Sequence, residues 1–366
     1  MTTPAAEPAV TRRLSTLDRY LPLWILLAMV GGLAVGRVFP GLNDALDTFE
    51  IGTVSLPIAL GLLAMMYPIL AKVRYARIGE VTSDRRLMST SLVLNWVLGP
   101  AVMFALAWIL LPDLPAYRTG LIIVGLARCI AMVLIWNDLA CGNGEMAAVL
   151  VALNSLFQVG AYALLGWLYL QALPAWLGLD TGTTLDVSIW EIARTVLVFL
   201  GIPLLAGYLT RLWGERAKGI EWYETRFLPA IGPVALWGLL FTVVVMFALQ
   251  GETITSHPFD VIRIAIPLVA YFAIMWFGSF ALGHRLRFPY DRNTAMAFTA
   301  AGNNFELAIA VAIGVFGIAS GEALATVVGP LIEVPVLISL VYAALWARRR
   351  FYALDGMPAT SEARRT

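Results

Sequence analysis

Gly144-Glu-Met-Ala-Ala-Val-Leu150 returns 177 positions later as Gly321-Glu-Ala-Leu-Ala-Thr-Val327. A second pair keeps nearly the same spacing: Pro57-Ile-Ala-Leu-Gly-Leu-Leu63 matches Pro233-Val-Ala-Leu-Trp-Gly-Leu-Leu240 with one inserted residue. Either match alone is weak, because apolar segments share composition by chance. Their agreement on nearly one offset points to a chain built from two related halves.

Those halves are membrane-embedded. Hydrophobic residues make up 60% of the 366, charged residues 13%, and the mean hydropathy is +0.80. Soluble domains hold about 45–50% apolar and about 25% charged residues. A spanning helix needs about 20 mostly apolar residues, and ten segments qualify: 21–39, 54–71, 88–111, 119–138, 145–171, 189–210, 227–249, 261–283, 293–316 and 322–347. Their apolar runs are unbroken rather than alternating, which excludes a barrel of strands.

Lys and Arg set the expected orientation. Arg12, Arg13 and Arg19 precede the first span, and Lys72, Arg74, Arg77, Arg85 and Arg86 fill the second connection. Arg211, Arg216, Lys218 and Arg226 follow the sixth span, Arg285, Arg287 and Arg292 the eighth, and Arg348, Arg349, Arg350, Arg364 and Arg365 close the chain. Odd-numbered connections are nearly bare of positive charge, so both termini are expected in the cytoplasm of a multi-pass cell-membrane protein. The fourth connection, Asn137 to Glu145, lacks Lys and Arg and is placed inside by parity. The polar start has no apolar core ahead of a cleavage site, and Thr11-Arg12-Arg13-Leu14 reads as a positive anchor rather than an export signal. A net charge of +1 says nothing of acidic partners, and no nucleic acid is expected.

Five spans per half is odd, so the second half enters the membrane in the opposite sense. The expected architecture is all-α: ten transmembrane helices in two inverted five-helix repeats, with crossed, interrupted fourth and ninth helices, the plan of secondary transporters. Its parts are a cytoplasmic tail (1–20), a first repeat (21–171), an extracytoplasmic connection (172–188), a second repeat (189–347) and a cytoplasmic tail (348–366).

Cys129 and Glu306 interrupt apolar stretches, and ionisable groups at membrane depth are costly unless something binds or moves there. The offset of 177 carried from Cys129 lands on Glu306, which makes the two equivalent positions of the repeats. Gly302-Asn303-Asn304 is a poor helix interior, because glycine is permissive and Asn side chains compete for backbone hydrogen bonds. An unwound segment facing a substrate is expected there. Around Cys129 only Gly125 weakens the helix, so a break is inferred from symmetry. Arg128 is open to two readings, as a charge favouring the thiolate of Cys129 or as the structural partner of a carboxylate. Glu333, between Pro330 and Pro335, is a further candidate for the same cavity. Asn95, Asn154 and Gln158 suit helix linkage as well as substrate contact.

With only Cys129 and Cys141, no disulfide framework is available. No metal-ligand spacing and no phosphate-binding loop occur, so neither a bound metal nor nucleotide hydrolysis is expected, nor any cofactor. A lone thiol beside a carboxyl suits a small, soft substrate coupled to protons, since soft centres prefer thiolate and a buried carboxyl can exchange a proton.

Leu126-Ala-Arg-Cys-Ile-Ala-Met-Val-Leu-Ile-Trp-Asn-Asp-Leu-Ala140, Thr299-Ala-Ala-Gly-Asn-Asn-Phe-Glu-Leu-Ala-Ile-Ala-Val-Ala312 and Gly329-Pro-Leu-Ile-Glu-Val-Pro-Val-Leu337 resemble the arsenical resistance-3 family of arsenite efflux permeases. That family is grouped with bile-acid, arsenite and riboflavin transporters. The likeness runs over about 20–347. It implies ten helices in inverted repeats, export of arsenite, with antimonite as a second candidate, in exchange for protons, and essential roles for Cys129 and Glu306. Asn303, Asn304, Arg128 and Glu333 fall within or near the motifs as further substrate-site residues.

Two rivals stand beside that expectation. Sodium-coupled uptake of an organic anion on the same fold would need several oxygen ligands near the crossing and would make Cys129 dispensable. An enzyme with Cys129 as nucleophile would want a His base within reach, and His257 and His284 fall near helix ends. The chain is therefore read as a carrier rather than an enzyme.

Overall fold

The computed structural model describes residues 20–39, 41, 50–51, 54–73, 84–130, 132–179, 188–249, 258–318, 320–353 and 356–358. The N-terminal tail with Arg12, Arg13 and Arg19, residues 180–187 of the 172–188 connection, Arg74, Arg77, His257 and the end of the C-terminal tail lie outside them.

Apart from an antiparallel hairpin of two-residue strands, β1 (Glu50–Ile51) and β2 (Val54–Ser55), the described residues form helices and the short segments that join them. The helices are α1 (Leu21–Val38), α2 (Leu56–Ala71), α3 (Arg85–Leu110), α4 (Pro115–Leu126), α5 (Met132–Leu139), α6 (Gly144–Trp176), α7 (Ile189–Lys218), α8 (Ile220–Leu249), α9 (Pro258–Arg285), α10 (Tyr290–Ala301), α11 (Phe305–Phe316) and α12 (Gly321–Phe351). Six of them, α3, α6, α7, α8, α9 and α12, are long and apolar enough to cross a bilayer, and α1, α2 and α11 are shorter apolar helices. Large side chains such as Ile109, Trp213, Trp237 and Ile262 are exposed along them. This is the surface of a multi-pass membrane protein, where lipid takes the place of a partner.

Local chemistry sets the helix limits. Asp84, Asn143, Ser188 and Ser320 accept from the freed amides of Leu87, Met146, Trp190 and Ala323 at the starts of α3, α6, α7 and α12. The segments expected at 189–210 and 227–249 prove longer. Arg211, Arg216, Lys218 and Arg226, expected in a connection, are helical, and only Gly219 (φ 84°) separates α7 from α8. Basic side chains suit the C-terminal end of α7, where the helix dipole is negative.

Four long helices each carry one widened turn: Leu94–Leu98, Leu168–Ala172, Leu197–Gly201 and Tyr223–Phe227. In each, the amide that closes the turn belongs to the residue just before a proline, namely Pro100, Pro174, Pro203 or Pro229. A helical proline ring collides with the carbonyl four residues back, and an extra residue in the turn moves that carbonyl aside.

The helices pack as two groups. α1, α2 and α8 form one, joined by the C-terminal half of α7; α3, α4, α5, α6, α9, α10, α11 and α12 form the other. The first turns of α7 instead lie on α6 and α11. There glycines admit close approach: a Cβ on Gly314 would sit 2.6 Å from the Thr195 methyl, and one on Gly166 2.8 Å from Ile192. At this same end Arg263 of α9 pairs with Asp113 ahead of α4, and Tyr117 donates to Asp260 at 3.3 Å. The hydrogen bond from Arg263 holds the Asp113 carboxyl below the ordinary carboxylate range.

Candidate functional site

The spans expected at 119–138 and 293–316 are each two helices with extended backbone between. Ala127 (φ −85°, ψ 117°) ends α4 and Gly302 (φ −69°, ψ 143°) ends α10. The two breaks lie against each other. Cys129 N–H donates to the Gly302 carbonyl at 3.3 Å, Asn304 N–H donates to the Ala127 carbonyl at 3.1 Å, and Arg128 and Asn303 form an antiparallel bridge. Backbone groups released by unwinding find each other, as they must where water and lipid offer nothing. Asn304 then starts α11 by accepting from Leu307 N–H at 3.0 Å.

An antiparallel bridge has a local two-fold axis, and this one corrects the expected symmetry. It exchanges Arg128 with Asn303, 175 positions apart, and hence Cys129 with Asn304. The offset of 177 holds for the helix starts at Gly144 and Gly321 but not at the crossing. Cys129 and Glu306 are therefore not symmetry mates here. Glu306 lies two residues further, in the first turn of α11.

Arg128 is fully buried. Its guanidinium donates to the Tyr271 hydroxyl at 2.7 Å, to the Asn303 amide oxygen at 3.0 Å and to the Gly125 carbonyl. Its backbone N–H donates to Gln158 Oε1 at 2.9 Å. A Cβ on Gly99 would stand 2.5 Å from Nη1, so only glycine leaves room for this placement. Among the described residues no carboxylate forms an ion pair with Arg128, which removes the structural ion-pair reading for them.

Cys129 is 3% exposed and packs on Gly302, where a Cβ would lie 2.9 Å from its own Cβ. Beside the crossing, a cavity of about 240 Å³ opens between the two helix groups. Glu306 and Glu333 line it together with Met65, Ile69, Leu236 and Leu239 from the opposite group. It reaches Ile130 and Phe305, which directly follow Cys129 and Asn304, and it extends to Lys72. The structure thus brings both carboxyls into one chamber. Cys129 and Asn304 are one residue from that lining in sequence, Arg128 and Asn303 two, and none of the four lines the cavity itself.

Lys72 and Tyr271 escaped the sequence reading. Lys72 looked like one more charge in a basic connection, and Tyr271 like one more aromatic in an apolar run. Their roles depend on packing between distant segments. Cys141 lies in the turn at the far end of α5, with φ 55°, and neither cysteine is in a disulfide. His284 is in the last turn of α9. No group of three or more His, Cys, Asp or Glu suited to a metal occurs among the described residues.

Across most of its length this chain is similar to proteins of arsenical resistance. It is 59% identical to the arsenical-resistance protein Acr3 of Corynebacterium glutamicum over 350 residues, 96% of this chain and 94% of that one. The chain belongs to the arsenical-resistance Acr3 family. With the Acr3 protein of Alkaliphilus metalliredigens it shares 33% identity over 88% of its length and 91% of the relative's. An uncharacterized transporter of Synechocystis is 37% identical over 90% and 88% of the two chains. Residues 59–257 also match the model of the sodium bile acid symporter family.

Proposed function

We propose that this protein exports arsenite from the cytoplasm in exchange for protons, by alternating exposure of one site between its two helix groups. The observation that carries the reading is the placement of Glu306 and Glu333 in a single chamber that reaches Ile130 and Phe305, the residues next to the crossing that holds Cys129. A thiol meets a soft trivalent centre, and one thiol makes contact without the tight hold that three would give. A carboxyl in the same chamber supplies the group that takes up and releases the coupled proton. Relatives named for arsenical resistance, covering nearly the whole chain, support the substrate class.

Counting α4 with α5 and α10 with α11 gives ten spans, and we read these as two inverted repeats, 21–171 and 189–347, flanked by cytoplasmic tails. The distribution of Lys and Arg supports a cytoplasmic position for Lys72. The chamber, which runs to Lys72, is then open inward, while α7 on α6 and α11 closes the outer end. Membership of the sodium bile acid symporter family keeps one rival in view, sodium-coupled transport of an organic anion.

Everted vesicles decide between them. A proton gradient should drive arsenite uptake, Cys129→Ser should abolish it, and sodium should be dispensable. Uptake driven by sodium, or full activity in Cys129→Ser, overturns the proposal. The same vesicles tested with antimonite set the breadth of the substrate class.

A further inference from the structure

Four side-chain nitrogens at the crossing are buried without an acceptor among the described residues: Arg128 Nε, Gln158 Nε2, Asn303 Nδ2 and Asn304 Nδ2. All four residues are at least 98% buried. Turning the amides round would not satisfy them, because each amide oxygen already has a donor that cannot move away. Gln158 Oε1 takes the Arg128 backbone N–H, Asn303 Oδ1 takes an Arg128 guanidinium N–H, and Asn304 Oδ1 takes the Leu307 backbone N–H. The loose end of each amide is therefore its NH2 group. The crossing has gathered four unpaired hydrogen-bond donors, from α6, from α10–α11 and from Arg128, against a single unpaired carboxyl oxygen nearby, Glu333 Oε1. Buried polar groups are nearly always paired, so the missing acceptor points to something that arrives.

The geometry points to Gln158 as a substrate-recognising residue that reads the oxygens of a trivalent arsenic oxyacid, while Cys129 reads the arsenic. This rests on the function proposed above and assigns a residue on α6, outside the two broken helices. Gln158 is suited to the task because its oxygen is anchored to the amide of Arg128, the neighbour of Cys129. Its NH2 group is thereby held beside the thiol-bearing backbone. Arsenous acid carries three hydroxyls with lone pairs, which matches a wall of donors. A site built to bond a hydroxyl discriminates strongly against an analogue that lacks it, since its own polar groups are then left unpaired.

The test compares arsenite with methylarsenite, in which a methyl group replaces one hydroxyl, in vesicles holding the full-length protein. Wild type should favour arsenite. Gln158→Leu should lose roughly tenfold in kcat/KM for arsenite and much less for methylarsenite, so the preference narrows. Asn303→Asp provides a second variant that keeps the acceptor for Arg128 and removes a donor. It should also narrow the ratio, with the protein still extracted from the membrane as a monodisperse species. Equal losses for both arsenicals in both variants would reduce Gln158 to a brace and overturn the assignment. Equal transport of the two compounds by wild type would overturn it as well. Failure of wild type to move either arsenical would instead sink the function on which this inference rests.

Discussion

Arg128 and Asn303 are joined twice: their backbones pair as an antiparallel bridge, and the Arg128 guanidinium donates to the Asn303 amide oxygen at 3.0 Å. Two broken helices from opposite halves of the chain are thereby locked at one point. The lock depends on close packing, which gives the first prediction. Gly302→Ala would add a Cβ 2.9 Å from Cys129 Cβ, although its φ of −69° suits any residue. Overpacking of this kind costs about 1–3 kcal/mol. Gly302→Ala should lower the thermal midpoint and arsenite transport together, whereas Gly278→Ala, with nothing within 4 Å of the added atom, should change neither. Unchanged transport in Gly302→Ala would show that the crossing tolerates separation.

The contact of α7 with α11 can be locked. A Cβ on Gly314 would lie 3.4 Å from Thr195 Cβ, near the 3.5–4.5 Å span of a disulfide. In Thr195→Cys/Gly314→Cys, oxidation should stop transport and a reductant should restore it. Full transport by the crosslinked protein, verified by its thiol count, would mean that these helices never part.

The two carboxyls of the chamber should separate in their effects. Glu306→Gln should remove the proton dependence of exchange while leaving thiol-dependent arsenite binding measurable. Glu333→Gln tests whether the second carboxyl shares that proton. A wild-type response to a pH gradient in Glu306→Gln would take Glu306 out of the coupling.

Acid should loosen the far end of the molecule. Asp113 is held below its ordinary range by Arg263, so the pair stabilises the fold above the ordinary carboxylate range. That contribution fades as pH falls through the lowered value. Both partners are solvent-exposed, so the effect is small. Asp113→Asn should reduce the thermal midpoint slightly at neutral pH, and the difference from wild type should vanish in acid. A difference that grows on acidification would reverse this sign.

The break at Gly302-Asn303-Asn304 could be read from residue chemistry, because those side chains disfavour a helix wherever they stand. The break at Ala127–Ile130 could not. Leu126-Ala127-Arg128 would make ordinary helix in isolation, and its extended backbone answers to a partner strand 175 positions away. The same distance in sequence hid the register. Counting from the conserved spacing of helix starts made Cys129 and Glu306 mates, and two residues of slip at the crossing undo that. Charges were legible as charges, but that Lys72 lines the chamber of Glu306 follows only from α2, α5, α11 and α12 enclosing one cavity. Glu333 was legible as an anomaly between two prolines, and the packing gave it a place.

The bridge at the crossing also bears on ancestry. Two identical half-length chains meeting across a two-fold axis would set the same residue on both sides of it. Arginine facing arginine would crowd two cations into one buried space, and asparagine facing asparagine would supply no cation at all. An arginine opposite an asparagine is open only to halves that differ, and a single gene encoding both in fixed order provides that. The Arg128 guanidinium thus breaks the local two-fold of the bridge at the one position where an exact repeat would be least tolerable.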